Sequence, residues 1–305
     1  MLNVRYLAVF RTIMQMGTVS GASRILNVSQ PALTKSLQLL ETRLGVVLFE
    51  RIKGKLYPTP DAQLLMPEVE RLFGMLRSIE HMANEVKHGQ VGRIVLAAVP
   101  TLAATILPEA VARFRREHPK VAIEILSLST SVVMQEVSNN QADIGLVDVQ
   151  FGEDYFETIP LCHAQIGCVV RADNPLAELE FVTPAHLAGQ ELITFADDTL
   201  SGTMIRSAFE ECKVSFPRTL IVNQTLVACA LVKSLDGVAL VDPFPLISAQ
   251  PGDVKVLPFR PIREIKPCMI LPPERPQSVV SDLFLTTLKK TMNDLMSRSS
   301  LLRAV

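Results

Sequence analysis

The sequence predicts a mixed α/β protein in three parts: a small helical head, one long linker helix and a larger α/β body. Three observations carry that reading. Two short helices, each with its own cap candidate, fill residues 19–41. Apolar residues then recur at heptad spacing from Leu65 to Val86. Beyond Arg93, short apolar strands alternate with helical stretches.

The head opens with an amphipathic helix over 4–16, whose apolar side carries Leu7, Phe10, Ile13 and Met14. Ser20 can cap a second, short helix that buries Ala22, Ile25 and Leu26. Asn27-Val28 breaks the pattern. Ser29 then caps a third helix with Pro31 in its first turn, where a missing N–H costs nothing. That helix buries Leu33, Leu37 and Leu40 and turns Gln30, Thr34, Lys35 and Gln38 outward. Two helices on a tight turn, the second lined with amides, hydroxyls and a lysine, form a helix-turn-helix. Such a face suits a DNA major groove. Gln can bond adenine twice, Thr and Ser reach bases or phosphates, and Lys35 neutralises phosphate. An ordinary solvated face has the same spacing, so the flanks decide. A strand-like Val46-Val47-Leu48-Phe49 leads to Gly54, which separates two basic arms, Arg51-Ile52-Lys53 and Lys55-Leu56-Tyr57. That pair of arms reads as a wing.

Charge supports the same division. Residues 1–58 hold eight Lys and Arg against Glu41 and Glu50, a net +6, which leaves −7 for the rest of a chain whose net charge is −1. A basic head on an acidic body fits a DNA-binding module joined to a module with another task.

The run Ala22-Ser23-Arg24-Ile25-Leu26-Asn27-Val28-Ser29-Gln30-Pro31-Ala32-Leu33-Thr34 is followed by Leu40-Glu41, Leu44-Gly45 and Leu48-Phe49-Glu50-Arg51. It resembles the N-terminal domain of LysR-type transcriptional regulators, many positions matching at fixed spacing without a gap. Length and the C-terminal two-thirds fit as well, so the resemblance covers essentially the whole chain. The expected DNA-facing set is Ser29, Gln30, Pro31, Thr34, Lys35 and Gln38 on the helix, with Arg51, Lys53 and Lys55 on the wing. The wing carries lysines where the family more often has arginines. Phosphate contact survives that change, while bidentate contact weakens.

Thr59-Pro60-Asp61 opens the linker with a cap, a first-turn proline and an acid near the positive end of the helix dipole. Leu65, Val69, Leu72, Leu76, Ile79, Ala83 and Val86 then form a coiled-coil seam, the expected dimer contact. Pro67 should bend its start, and Gly89 and Gly92 should end it in a flexible joint. The domains expected are therefore a head over 1–58, a linker over 59–91 and a body over 92–300.

In the body, strands are expected at 94–99, 121–126 and 144–147, with helices at about 104–117 and 131–139 between them. A second unit has strands at 165–170, 192–195, 220–222 and 238–241. A strand at 269–271 and a closing helix over 278–296 follow. Alternation predicts parallel sheet with helices on both faces. The resemblance implies a two-lobed, periplasmic-binding-protein-like effector domain. Its first lobe would span about 92–162 and 268–300, the closing segment crossing back, and its second about 163–267. No internal sequence repeat is evident.

Ligands of open α/β sheets bind off the carboxyl ends of strands. Those ends carry Pro100-Thr101, Ser129-Thr130-Ser131, Thr199 with Ser201, and Gln224-Thr225. The family's effector contacts fall at the equivalents of these positions. Helix starts there offer free N–H groups to a carboxylate. Any one of these hydroxyls alone would be read as a plain N-cap; the convergence of four loops is what marks a site. Asp148 and Asp242 each follow an apolar strand, where they can bind a cationic group or cap the next turn. Leu126–Val137 and Val222–Pro243 resemble the octopine and nopaline regulators within the family, which implies an amino-acid-derived organic anion as effector.

Other classes fit less well. The five histidines show no metal-ligand spacing, and no G-x-S-x-G, P-loop or G-x-G-x-x-G occurs, so neither an enzyme nor a cofactor is expected. The five cysteines make no C-x-x-C pair and read as reduced buried thiols; a thiol-based redox sensor would need a basic cluster beside one of them. A cytoplasmic solute-binding protein without a DNA role would leave the basic head unexplained. Arg5 and Arg11 interrupt the first apolar run, so no signal peptide is expected and cytoplasm is the default. The expected partners are double-stranded promoter DNA, a small-molecule effector, a second copy through the linker helix, a tetramer as is common in the family, and RNA polymerase when the protein activates.

Overall fold

The structure, a computed structural model, describes residues 2–52, 55–88, 92–148, 156–197, 199–216, 220–247, 254–272 and 277–305. It divides into two compact units, Met1–Ala83 and Asn84–Val305.

In the first unit, α1 (Val4–Met16), α2 (Val19–Ile25) and α3 (Gln30–Leu44) close around Phe10, Ile13, Leu33 and Leu40. The wing is an antiparallel pair, β1 (Phe49–Ile52) and β2 (Lys55–Pro58), in register from Phe49↔Pro58 to Ile52↔Lys55. Gly45 ends α3 at φ +73°, a left-handed conformation that favours glycine. Glu41 then aims the wing: its Oε1 accepts from the N–H groups of Leu48 at 2.8 Å and Phe49 at 3.3 Å.

Three local expectations change. Thr18, not Ser20, caps α2, its hydroxyl accepting from Gly21 N–H at 3.1 Å. Ile25 is 59% exposed, and Ser23 occupies the buried side with Ala22. Seven residues are too few turns for apolar spacing to fix which face goes inward. Val46-Val47 precede the strand, which begins at Phe49.

The helix α4 (Pro60–His88) starts as its cap predicts. Thr59 Oγ1 accepts from Ala62 N–H at 3.2 Å and donates to the Val47 carbonyl at 2.8 Å. Val69, and in part Leu65 and Leu72 of the expected seam, pack on the head's own core. Arg11 reinforces that packing through Glu70 at 2.8 Å. The first unit therefore runs past 58 to Ala83. Farther along, Met75 and Ile79 are 52% and 57% exposed. Gly89 and the side chains of Ala83 and Val86 lie outside the described residues.

The second unit begins with β3 (Arg93–Ala98), α5 (Pro100–Glu117), β4 (Ala122–Ser127), α6 (Thr130–Ser138) and β5 (Ile144–Asp148). Then come β6 (Glu157–Pro160), β7 (His163–Gln165) and β8 (Gly167–Arg171). A short α7 (Pro184–Leu187) precedes β9 (Leu192–Phe195), α8 (Leu200–Glu211), β10 (Leu220–Val222), α9 (Thr225–Ser234) and β11 (Val238–Val241). The chain finishes with α10 (Phe244–Ile247), β12 (Val254–Pro258), β13 (Glu264–Ile265), β14 (Pro267–Leu271), α11 (Val279–Met296) and β15 (Leu302–Arg303).

Two five-stranded sheets result, in the orders β4-β3-β5-β14-β6 and β10-β9-β11-β8-β12. The first three strands of each are parallel, as alternation predicts, and the next two run antiparallel to their neighbours. The sheets are therefore mixed rather than parallel. The chain leaves the first lobe after β6 and returns through β14, so the returning strand enters from the opposite direction. The lobes thus repeat one topology with no repeat visible in the sequence: β3, β4, β5, α5 and α6 match β9, β10, β11, α8 and α9. The stretch 165–170, expected as one strand, splits at Ile166. On one side β7 joins a separate three-stranded sheet, β13-β7-β15, and on the other β8 enters the second lobe. The cores of the two lobes meet where Leu200, Met204 and Phe244 pack on the first lobe.

Candidate nucleic-acid interface and ligand cleft

The first site is the outer face of α3. Ser29 caps the helix by accepting from Ala32 N–H at 3.4 Å, and Pro31 falls in the first turn. Leu33, Leu37 and Leu40 hold the inner side. This leaves Ser29, Gln30, Pro31, Lys35 and Gln38 exposed and Thr34 half-buried beside them. Ser36 is spent on the backbone, donating to the Ala32 carbonyl at 2.9 Å. Arg51 and Lys55 are exposed on the wing, whereas Lys53 and Gly54 lie outside the described residues. Amide, hydroxyl and lysine groups thus share one convex, solvated surface that a core has fixed from behind.

The second site lies at the carboxyl ends of the first lobe's strands. Neighbouring β3 and β4 are parallel with Ala98 opposite Ser127, so Pro100-Thr101 and Ser129-Thr130-Ser131 leave the same sheet edge. The helix α5 starts at Pro100, four residues earlier than expected, because Val99 already has the extended geometry of an N-cap. Neither α5 nor α6 receives a side-chain cap. Ser129 Oγ instead lies 3.4 Å from Ser131 Oγ. Thr101 is 8% exposed, and its carbonyl accepts from Thr105 Oγ1 at 2.7 Å. Among the described residues, two helix starts therefore keep first-turn N–H groups free of side-chain acceptors, side by side, with partial positive charge aimed at the edge.

The second lobe's residues divide. Thr199 is a structural cap, accepting from Gly202 N–H at 3.1 Å and donating to the Ala196 carbonyl at 2.7 Å. The approach is close enough that a Cβ on Gly202 would sit 2.0 Å from the Ala196 oxygen. Thr225 is buried and donates to Asp242 Oδ2, and Asp242 Oδ1 accepts from Phe244 N–H at 3.3 Å. The hydroxyls of Thr199 and Thr225 are thus engaged inside the protein. Ser201 is half-buried in the first turn of α8, and Gln224 is exposed.

Sequence reasoning passed over the state of the two aspartates. Asp148 Oδ1 is sealed from solvent with no hydrogen-bond partner among the described residues. Burial, and secondarily the charge of Asp242, pushes the Asp148 carboxyl up to about 7. Burial pushes Asp242 up to about 6, against the pull of its Thr225 and Phe244 bonds. Burial also drives Cys162, Cys168 and Cys229 up to about 12, so these thiols stay protonated and unreactive at neutral pH. No helix among the described residues is long and apolar enough to cross a membrane.

A DNA-reading head joined to a two-lobed ligand-binding body defines a ligand-responsive transcriptional regulator. Comparison with known proteins agrees. The family model for the LysR substrate binding domain matches residues 87–293, more than half of the chain, and that for the bacterial regulatory helix-turn-helix protein of the lysR family matches 4–63. The chain belongs to the LysR family of DNA-binding transcriptional regulators. It is 28% identical over 301 residues to the octopine catabolism/uptake operon regulatory protein OccR of Rhizobium meliloti, covering 99% of this chain and 100% of the relative. It is 24% identical over 282 residues to the transcriptional activator protein LysR of Escherichia coli (strain K12), covering 92% and 91%. Among solved structures, full-length CbnR complexed with its target DNA shares the fold at a TM-score of 0.68 and 18% identity, covering 95% of this chain and all of that one.

Proposed function

We propose that this regulator reads promoter DNA through Ser29, Gln30, Pro31, Thr34, Lys35 and Gln38 in the major groove, with Arg51, Lys53 and Lys55 on the backbone. An amino-acid-derived carboxylate in the cleft of the body controls it. The observation that carries the cleft assignment is the pair of uncapped helix starts, α5 and α6, on one sheet edge. The carboxylate takes N–H bonds from both starts and hydroxyl bonds from Thr101, Thr130 and Ser131, with Pro100 and Ser129 shaping the turns and Ser201 and Gln224 facing from the other lobe. Similarity to OccR, a regulator of an octopine catabolism/uptake operon, supports an amino-acid-derived ligand. Closing of the lobes changes DNA binding only by the effector's differential affinity for the two arrangements.

The test is Thr101→Val, which keeps the side-chain shape and removes the hydroxyl. A hydroxyl bond to a charged group contributes about 1.5–3 kcal/mol, so effector affinity falls by about 10-fold or more. Effector-free DNA binding stays at the wild-type level. The effector is first identified by mass spectrometry of what co-purifies, then titrated calorimetrically. Wild-type affinity in both Thr101→Val and Thr130→Val places the ligand elsewhere.

The protein works in the cytoplasm as a homodimer and pairs into a tetramer, needs no bound cofactor, and contacts RNA polymerase when it activates. In this reading the dimer uses the outer part of α4, where Met75 and Ile79 are exposed, rather than Val69, which the head already buries. Ile79→Glu places a charge on that contact. The oligomer dissociates in light scattering, and operator affinity drops by about 100-fold as two tethered heads become independent. An unchanged particle mass removes α4 from the interface.

A further inference from the structure

We propose that the floor of the cleft holds a cationic nitrogen of the effector, an ammonium or guanidinium group, between Asp148 of the first lobe and Asp242 of the second. This rests on the cleft reading above and adds the group at the other end of the ligand.

The argument begins with topology. In each lobe the third parallel strand, β5 or β11, lies beside the first, β3 or β9. Asp148 is the last residue of β5, and Asp242 directly follows β11. The two carboxylates are therefore structural counterparts, each at the point where the strand order reverses and ligands of α/β sheets bind. Their first-turn neighbours correspond too: Thr225 opens α9 as Thr130 opens α6.

The counterparts are treated differently. Asp242 is 7% exposed and satisfied, by the Thr225 hydroxyl on one oxygen and Phe244 N–H on the other. Asp148 Oδ1 is sealed from solvent and receives nothing, from Thr130 or from any other described group. Its ladder partner is Pro267, which has no N–H to give. A carboxylate oxygen sealed without a donor is costly unless something else supplies one.

Charge says which donor fits. The charge of Asp242 acts on Asp148 across the lobes. Among the described residues, no lysine, arginine or histidine acts on either carboxylate. The other titratable groups facing them are thiols, Cys162 towards Asp148 and Cys229 towards Asp242, and both stay neutral. A neutral ligand group would leave two buried carboxylates repelling each other. An ammonium or guanidinium group donates to the orphaned oxygen and cancels the repulsion in one step. Near neutral pH the empty site holds a proton, which leaves to solvent as the cation enters.

The test is calorimetric titration of the full-length protein with γ-aminobutyrate, γ-guanidinobutyrate and butyrate. The three share a carboxylate and a chain, and only the first two carry the cationic nitrogen. At least one nitrogen probe binds about 10-fold or more tightly than butyrate, the factor corresponding to about 1.4 kcal/mol. Asp148→Asn and Asp242→Asn each erase that preference and leave butyrate affinity unchanged. Thr101→Val weakens all three equally. If both nitrogen probes bind no tighter than butyrate, or neither binds at millimolar concentration, the cation site is overturned. A preference that survives in both aspartate variants also overturns it. If butyrate binds and Thr101→Val leaves it unaffected, the carboxylate assignment of the cleft fails separately. The wild-type preference needs no variant to fold. The variants carry their own check, because Asn removes a buried charge. A carboxyl raised in the folded state favours folding below its unfolded pKa and loses that advantage as pH climbs through its folded value. As pH rises from about 4 to about 7, Asp148→Asn therefore gains in melting temperature relative to the wild type.

Discussion

Replacing Phe10 with alanine is expected to unfold the head and abolish operator binding while the body stays folded. Phe10 is 1% exposed, its ring centre lies 5.8 Å from that of Phe49, and it shares the core with Leu33, Leu40 and Leu48. Truncating a buried phenylalanine costs about 3–5 kcal/mol. A unit as small as Met1–Ala83 holds only about 4–12 kcal/mol in total at typical stability per residue. The loss therefore takes most of the head's margin, and α3 loses the support that presents its outer face. Calorimetry should show an early transition moving down or vanishing while the transition of the second unit stays in place. Titration of operator DNA should show no specific complex. A single transition that shifts as a whole would mean that the two units do not melt separately.

The second large effect is expected on the face of α3 itself. Gln30 is exposed at the start of the helix, and Lys35 lies about a turn and a half on, also exposed. Gln30→Ala should cost about 1–3 kcal/mol on the specific operator and little on random DNA, as befits a base contact. Lys35→Ala should instead weaken both, and the slope of log K against log salt should become shallower by about one, as befits a phosphate contact. The two residues separate specificity from affinity on one helix. Binding curves of the double variant that overlay those of the wild type on both DNAs would exclude this face from the interface.

Local chemistry was legible wherever a residue acts on its own neighbours. Ser29, Pro31 and Gly45 bound α3 because caps and turns depend on a few adjacent groups. The strands β3, β5, β9 and β11 were found near their true ends because each is a short apolar run between polar breaks, whereas β6 and β12 were not read as strands. Misreadings came where two local solutions compete. Thr18 and Ser20 are both good caps, and the choice falls to the backbone angles at which the chain enters α2.

The sequence by itself determined the division into basic head, long helix and α/β body, the helix-turn-helix with its polar face, and the loops that end the strands. Those features follow from periodicity, capping and composition, all properties of short stretches. Only the tertiary structure decided three others. A heptad pattern states that a stripe will be covered but not by what, and the core of Phe10 and Leu40 claimed Val69 and, in part, Leu65 and Leu72. Strand direction depends on where the chain re-enters a sheet, so β14 and β6 made the first sheet mixed. The two aspartates read alike in sequence. Whether each is satisfied depends on groups brought from elsewhere in the fold, and the fold gives Asp242 a hydroxyl from Thr225 while Asp148 Oδ1 is buried without a donor among the described residues.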